Sequence, residues 1–416
     1  MLTMQSAPWR EFSAVKSLRT MFFNHPRLNV VSADAQLPLP PRLRSIEFDI
    51  VILSSTFLGA RYSDRLLKRV KERFDFLAPM RALKVAMPQD DYDCSRLLDT
   101  WLSEWSVDLI YSICPENWSV LYPTSLGKSE LRLGYTSYIS DNQVVALEDL
   151  KRWQDRKIDV SYRATELPLN FGHLGQMKAS LGDLFQRQIL NSSKFEFDIS
   201  VGSKSIISGD RWLEFVESSR FVLVSPSGSS LVDPNGDLRK LAREPRFRTA
   251  TVSDFLTVAS QRKLEWYELT NTMISPRNIE AALSGTAQIA IPSEYSGILR
   301  ERDHYVPLDQ SFDAESVLGN EFDWLRMRRA ARDAILSVKR LRATELVSEL
   351  LGFFPQVGIN YVFAEKRGNT REQMTWRFAT AFSSIVIPTA LRLAAITLIA
   401  VRRVSRVLKR VLSCRC

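Results

Sequence analysis

Histidine and cysteine are scarce in this chain, three of the first and four of the second in 416 residues. Cys94, Cys114, Cys414 and Cys416 have neither zinc-finger spacing nor the pattern of a disulfide framework. The closing "CRC" does not fit the prenylation signal, which needs a cysteine four from the end, and reads as free thiols in a reducing compartment. His25, His173 and His304 form no Ser–His–Asp order and no HExxH. Glycine-rich phosphate loops are missing as well, with no P-loop and no GxGxxG. "MLTMQSAPWREFSAV" lacks the basic stretch and long apolar run of a signal peptide, so a cytoplasmic catalytic body is expected. There is no internal repeat.

What is present suits a folded protein of two domains. Hydrophobic residues make up 45% and charged residues 25%, which argues against wholesale disorder. The net charge of +9 invites a nucleic-acid reading, but its distribution opposes one. From Arg392 to Cys416 there are seven Arg or Lys and no acid, so most of the excess sits in one tail. No nucleic-acid partner is expected.

Residues 1–44 carry no clear element. Then "EFDIVILSS", "ALKVAMPQ" and "VDLIYSIC" read as strands, separated by the helical patterns "RYSDRLLKRVKERFDFL" and "CSRLLDTWLSEW". This is the pattern of a parallel sheet with crossover helices, expected over 45–155. The loop "MPQDDYD" leaves the carboxyl end of a strand, where open α/β sheets place their ligands.

A second α/β unit is expected over 156–345. "KIDVSYRATE", "KFEFDIS" and "RFVLVSP" read as strands, "QMKASLGDLFQRQIL" and "GDRWLEFVESS" as helices, and "SGSSLVDPNG" as a loop. "TVSDFLTVAS" reads as a short helix, and "NEFDWLRMRRAARDAILSVKRL" as the charged close.

The remaining 346–416 are expected to form a helical tail. "FSSIVIPTALRLAAITLIAV" is mostly apolar, and about 20 such residues can cross a bilayer. Arg392 and Pro388 weaken that case. In "VRRVSRVLKRVL", Val401, Val404, Leu408, Val411 and Leu412 share one helical face, with Arg402, Arg403, Arg406, Lys409 and Arg410 around the rest. An anionic membrane surface attracts such a helix. A helix docked on a domain is the alternative.

Between them lies "SPRNIEAALSGTAQIAIPSEYSGILRERDHYVPL". Ser275 suits an N-cap, Pro276 the first helical position and Gly285 the end. Arg277, Glu280 and Ser284 fall on one side, which by spacing alone is an ordinary surface Arg–Glu pair. The following Tyr295, Ser296, Gly297 and Ile298 begin a turn whose amides suit a phosphate. A carboxylate at Glu280 suits ribose hydroxyls, and Arg277 a diphosphate.

This stretch resembles the donor-binding region of GT-B glycosyltransferases, in particular the bacterial family-1-like and family-4-like enzymes of surface polysaccharide assembly, including lipopolysaccharide. Their "E-A-x-x-x-G" reads "EAALSG" here, and a subgroup's "SPRxFE", "GEYSGIL" and "HYIPL" read "SPRNIE", "SEYSGIL" and "HYVPL". "QDDY" is similar to its "QDEY", and "YRATELPLNFGHLGQMK" to its "YRxxxLPxxxGxLxxxK", matching Arg163, Gly172, Gly175 and Lys178. The likeness runs from about residue 45 to 330. Two positions depart: Thr272 stands where a second glutamate is usual, and Pro226 where the subgroup has the glutamate of "ESGxS".

The resemblance implies two Rossmann-like parallel-sheet domains facing a cleft, and transfer of a sugar from a nucleotide sugar to a saccharide or lipid-linked acceptor, without a metal or other cofactor. It places the nucleotide on Arg277, Glu280 and the 295–298 turn. It gives Arg163 and Lys178 the charge on the leaving diphosphate. Asp90 and Asp91 are candidates for a base if the reaction inverts, although the resemblance leans to retention. An inactive membrane-bound scaffold and an epimerase of the same fold are the alternatives.

Overall fold

Short apolar runs build the first sheet, as strands buried on both faces require. The structure, a computed structural model, describes residues 1–3, 15, 17–18, 21–23, 25, 27–189, 194–202, 206–207 and 210–353. The chain divides into two compact units, Met1–Asn360 and Tyr361–Cys416, and every described residue belongs to the first. Most of the expected tail, its membrane face included, therefore lies outside the described residues.

Strands β1 (Leu2–Thr3), β2 (Ala33–Asp34), β3 (Ile50–Leu53), β4 (Leu83–Ala86), β5 (Leu109–Ser112) and β6 (Glu130–Leu133) form a parallel sheet in the order β2-β1-β3-β4-β5-β6. Leu83, Val85, Ala86, Leu109 and Ile110 are fully buried within it. The helices Asp64–Arg73 and Ser95–Glu104 fall where the pattern predicts. The second seats Trp101 against Phe57 and Trp105, with ring centroids 5.4 and 5.5 Å apart. Three strands have no counterpart in the expectations. β1 and β2 come from the unread first 44 residues, and β6 from the polar "ELRL".

The second sheet begins with β7 (Ile158–Ala164), β8 (Phe197–Val201) and β9 (Ser219–Val224), linked by the helices Gly172–Gln188 and Asp210–Glu217. The chain then leaves this sheet. "SGSSLVDPNG" is not a loop: Ser227–Val232 is β10, paired antiparallel with β11 (Tyr267–Met273) across a bulge. This ribbon carries the helices Asp237–Leu241 and Val252–Gln261 over to the first sheet. There the Asp233 amide donates to Tyr92 O at 2.8 Å, and the Arg96 amide to Pro234 O at 3.0 Å. Arg239 pairs with Asp93. Side chains of Val232 and Met273 join the core of Trp101, Leu102 and Tyr122.

After the ribbon, the helix Pro276–Leu283 and strands β12 (Ala287–Ala290) and β13 (Val306–Pro307) complete a parallel sheet ordered β13-β12-β9-β7-β8. Ser275 caps that helix by accepting from the Asn278 amide, and Gly285 ends it at φ +59, a conformation that costs glycine little. The helix Glu321–Ser337 closes this part. The chain then returns to the first sheet, where Ala343–Gly352 buries Leu346, Val347 and Leu350 in the core of Leu109 and Tyr111. The described residues thus form two Rossmann-like α/β sheets facing a cleft. No helix among the described residues is long and apolar enough to cross a membrane.

Candidate active site

The second sheet and its helices bring side chains together at Tyr162, the penultimate buried position of β7. Its hydroxyl donates to the carbonyl of Lys178 at 2.5 Å, and its ring lies under the Arg277 guanidinium, 4.9 Å from the centroid. Arg277 donates to the backbone carbonyl of Arg163 and stands 5.4 Å from the ring centroid of Trp212. Trp212 in turn donates its indole N–H to Oε2 of Glu280 at 2.7 Å. Arg163, Lys178, Arg277 and Glu280 are therefore one cluster, drawn from β7 and two helices around a tyrosine and a tryptophan that no motif singled out.

The charges of this cluster are unevenly matched. Arg163 is neutralised on β8, where it meets the Asp198 carboxylate at 2.7 Å and stacks 4.5 Å from Phe215. Glu280 is 8% exposed, so it is no surface partner of Arg277. Arg277 keeps a buried Nε without a hydrogen-bond acceptor. Lys178 is half-buried and its ammonium forms no ion pair among the described residues. Burial first, and the neighbouring Arg277 charge second, push it down to about 8, while the carboxylate of Asp90 pulls the other way. Two cations with unspent hydrogen-bonding capacity among the described residues thus stand close together.

Asp90 reaches them from the first sheet. Its backbone is left-handed, at φ +54, and its Oδ1 accepts from the Tyr92 hydroxyl at 2.5 Å. Asp91 is elsewhere: fully buried, with Oδ2 accepting from Ser112 and Tyr122, each at 2.7 Å. Burial holds its carboxyl above the ordinary range. The charge of Asp90 acts on Lys178, whereas Asp91 belongs to the core.

The Tyr295–Gly297 turn abuts the start of the Pro276–Leu283 helix, where Ser296 Oγ accepts from the Ile274 amide at 3.1 Å. The amides expected to face a phosphate are partly spent inside the turn, Gly297 on Glu294 O at 2.7 Å and Ile298 on Tyr295 O at 3.1 Å. The Tyr295 side chain is buried, edge-on to Tyr305 and bonded to Ile291 O at 2.7 Å. His304 turns away as well, accepting from the Arg300 amide at 2.9 Å. Of the two departures, Pro226 is buried between β9 and β10, and Thr272 pairs with Gly228 in the ribbon.

No family model matches the chain, and no curated protein does. Among solved structures, a point mutant of S. aureus TarM in complex with Fondaparinux, alpha-GlcNAc-glycerol and UDP is similar at 11% identity. That match covers 72% of this chain and 58% of that one, with a TM-score of 0.38. The pneumococcal O-GlcNAc transferase GtfA, in complex with UDP and GlcNAc, is similar at 10% identity over 70% of this chain and 55% of that one, with a TM-score of 0.32. This chain spans little more than half the length of either. Superpositions this loose carry no argument about chemistry, which rests on the residues above.

Proposed function

We propose that this protein is a glycosyltransferase of cell-surface polysaccharide assembly, moving a sugar from a nucleotide sugar to a saccharide or lipid-linked acceptor. One observation carries the reading: the Lys178 ammonium, with no ion pair among the described residues, and the Arg277 guanidinium, with its orphaned Nε, lie close enough for their charges to act on each other. A diphosphate supplies the missing charge and acceptors, and at a water-excluded site such contacts are strong.

In this reading Lys178 and Arg277 hold the diphosphate, and Glu280, steadied by Trp212, holds ribose hydroxyls. The 295–298 turn supports the nucleotide from the side. Arg163 acts through its carbonyl on Arg277. The acceptor lies against the first sheet, near Asp90. Its hydroxyl oxygen forms a bond to the anomeric carbon as the bond to the diphosphate oxygen breaks, and the nucleoside diphosphate leaves with that electron pair. The hydroxyl proton passes to Asp90 if the reaction inverts, or to the departing phosphate if it retains. Lys178 and Arg277 stabilise the charge that develops on the leaving group. The basic, apolar C-terminal tail holds the enzyme to the anionic inner face of the membrane, beside a lipid-linked acceptor.

The test is a calorimetric screen of the full chain against UDP, GDP, ADP, TDP and CMP, with Glu280→Ala beside the wild type. Selective binding that the variant loses supports the donor site. A well-folded wild type that binds none of them sinks the transferase reading and leaves a scaffold.

A further inference from the structure

Arg61 lies in the turn Gly59–Tyr62 after β3 and is 1% exposed. Its guanidinium makes five hydrogen bonds: Nε to Asp93 O at 3.0 Å, Nη1 to Leu58 O at 3.0 Å, and Nη2 to Tyr62 Oη, Gln89 O and Asp90 O at 2.7, 2.7 and 3.0 Å. Three of these acceptors are backbone carbonyls of a single loop, residues 89–93. The same loop contains Asp90 at φ +54 and ends on Cys94 at φ +56, a conformation that side-chain-bearing residues rarely adopt. Such backbone persists only where its surroundings over-determine it.

We propose that Arg61 is the positioning residue for Asp90. By drawing the carbonyls of Gln89, Asp90 and Asp93 onto one planar fork, it fixes the left-handed turn that presents the Asp90 carboxylate to the cleft, towards Lys178. Tyr92 then sets the carboxylate itself through its hydroxyl. The inference rests on the transferase reading only for what Asp90 does once it is placed. A buried arginine is the residue this job needs, since a lysine ammonium keeps the charge but cannot span Leu58, Gln89 and Asp93 together.

The Arg277 charge disfavours the protonated Lys178 amine, and the Asp90 carboxylate favours it. The position of Asp90 is therefore readable in the titration of Lys178. Competitive acetylation of the full chain across pH, read on the Lys178 peptide by mass spectrometry, gives the midpoint. Asp90→Asn is expected to lower it by on the order of half a pH unit. Arg61→Lys is expected to lower it in the same direction, and the double variant no further than Asp90→Asn alone. A variant that only weakened the fold would reduce the melting temperature and leave the midpoint of the folded protein where it was.

Should Arg61→Lys fail to fold, Arg61→Gln is the second variant: it removes the buried charge, keeps a planar donor, and is expected to give the same shift. An unchanged midpoint in folded Arg61 variants, with Asp90→Asn shifted, overturns the proposal. An unchanged midpoint in Asp90→Asn as well overturns it together with the cleft role of Asp90. The nucleotide screen is separate and decides the donor site on its own.

Discussion

The indole N–H of Trp212 donates to Oε2 of Glu280 across 2.7 Å, joining the Asp210–Glu217 helix to the Pro276–Leu283 helix behind Arg277. A carboxylate steadied in this way is pre-aimed, and pre-aiming lowers the ordering cost of binding. Glu280→Ala is expected to weaken binding of the cognate nucleotide at least about tenfold, roughly 1.4 kcal/mol. Trp212→Phe keeps the ring and loses the donor, so a smaller loss is expected. Calorimetry on both variants checks the order.

Lys178 gives the binding a pH dependence of known sign. Held down to about 8, its amine is charged below that pH and discharges above it. Affinity for a nucleoside diphosphate is expected to fall as pH rises through about 8, and Lys178→Met to bind weakly with no step there. The stability effect runs the other way. Between about 8 and the ordinary lysine value of 10.5 the unfolded chain holds more protons, so stability rises with pH across that window.

Asp91 belongs to the fold. Asp91→Ala would leave the buried Tyr122 hydroxyl without its acceptor and Ser112 with only the Cys114 carbonyl at 3.3 Å, at a cost of about 2–4 kcal/mol. Its raised pKa means that the folded chain holds this proton more tightly than the unfolded chain does. Stability therefore falls as pH rises from the ordinary 3.8 through the raised value, and Asp91→Asn should flatten that slope. Urea unfolding at several pH values measures both effects.

Gly172, the first residue of the Lys178 helix, has φ +64, and a methyl group there would lie 2.2 Å from Ser230 Oγ and 2.9 Å from Leu231 Cγ. Gly172→Ala is expected to cost about 2–4 kcal/mol, since both backbone strain and overpacking act at one site. Chemical denaturation of the full chain measures it. Nucleotide affinity should drop with it, because the same helix carries Lys178.

Deletion of residues 382–416 is expected to release the protein from the membrane fraction. Those residues hold the apolar run and most of the excess positive charge. An unchanged fractionation removes the tail from membrane attachment.

The parts that could be read in the sequence were those with local causes. Runs such as "IVIL" and "FVLV" are strands because no other element buries so many consecutive apolar residues in so short a length, and Ser275, Pro276 and Gly285 mark a helix by backbone chemistry alone. β6 was hidden because its "ELRL" is only partly buried at a sheet edge. The ribbon was hidden because "SGSSLV" has the composition of a loop, and its partner "YELTNTM" lies some 40 residues on in the chain. Nothing in "LGARY" marks Arg61 either, since its acceptors are backbone carbonyls that sequence does not display.

Sequence by itself determined the two alternations of strand and helix, the capped helix at Ser275, and the residue types of the candidate site. These follow from burial periodicity and from side-chain chemistry that acts within a few residues. Only the tertiary structure decided that Asp91 enters the core while Asp90 does not, that Arg163 is neutralised by Asp198, and that the charges of Arg277 and Asp90 act on Lys178. Each of those depends on a partner distant in the chain, and which partner a charge meets is set by how the elements pack.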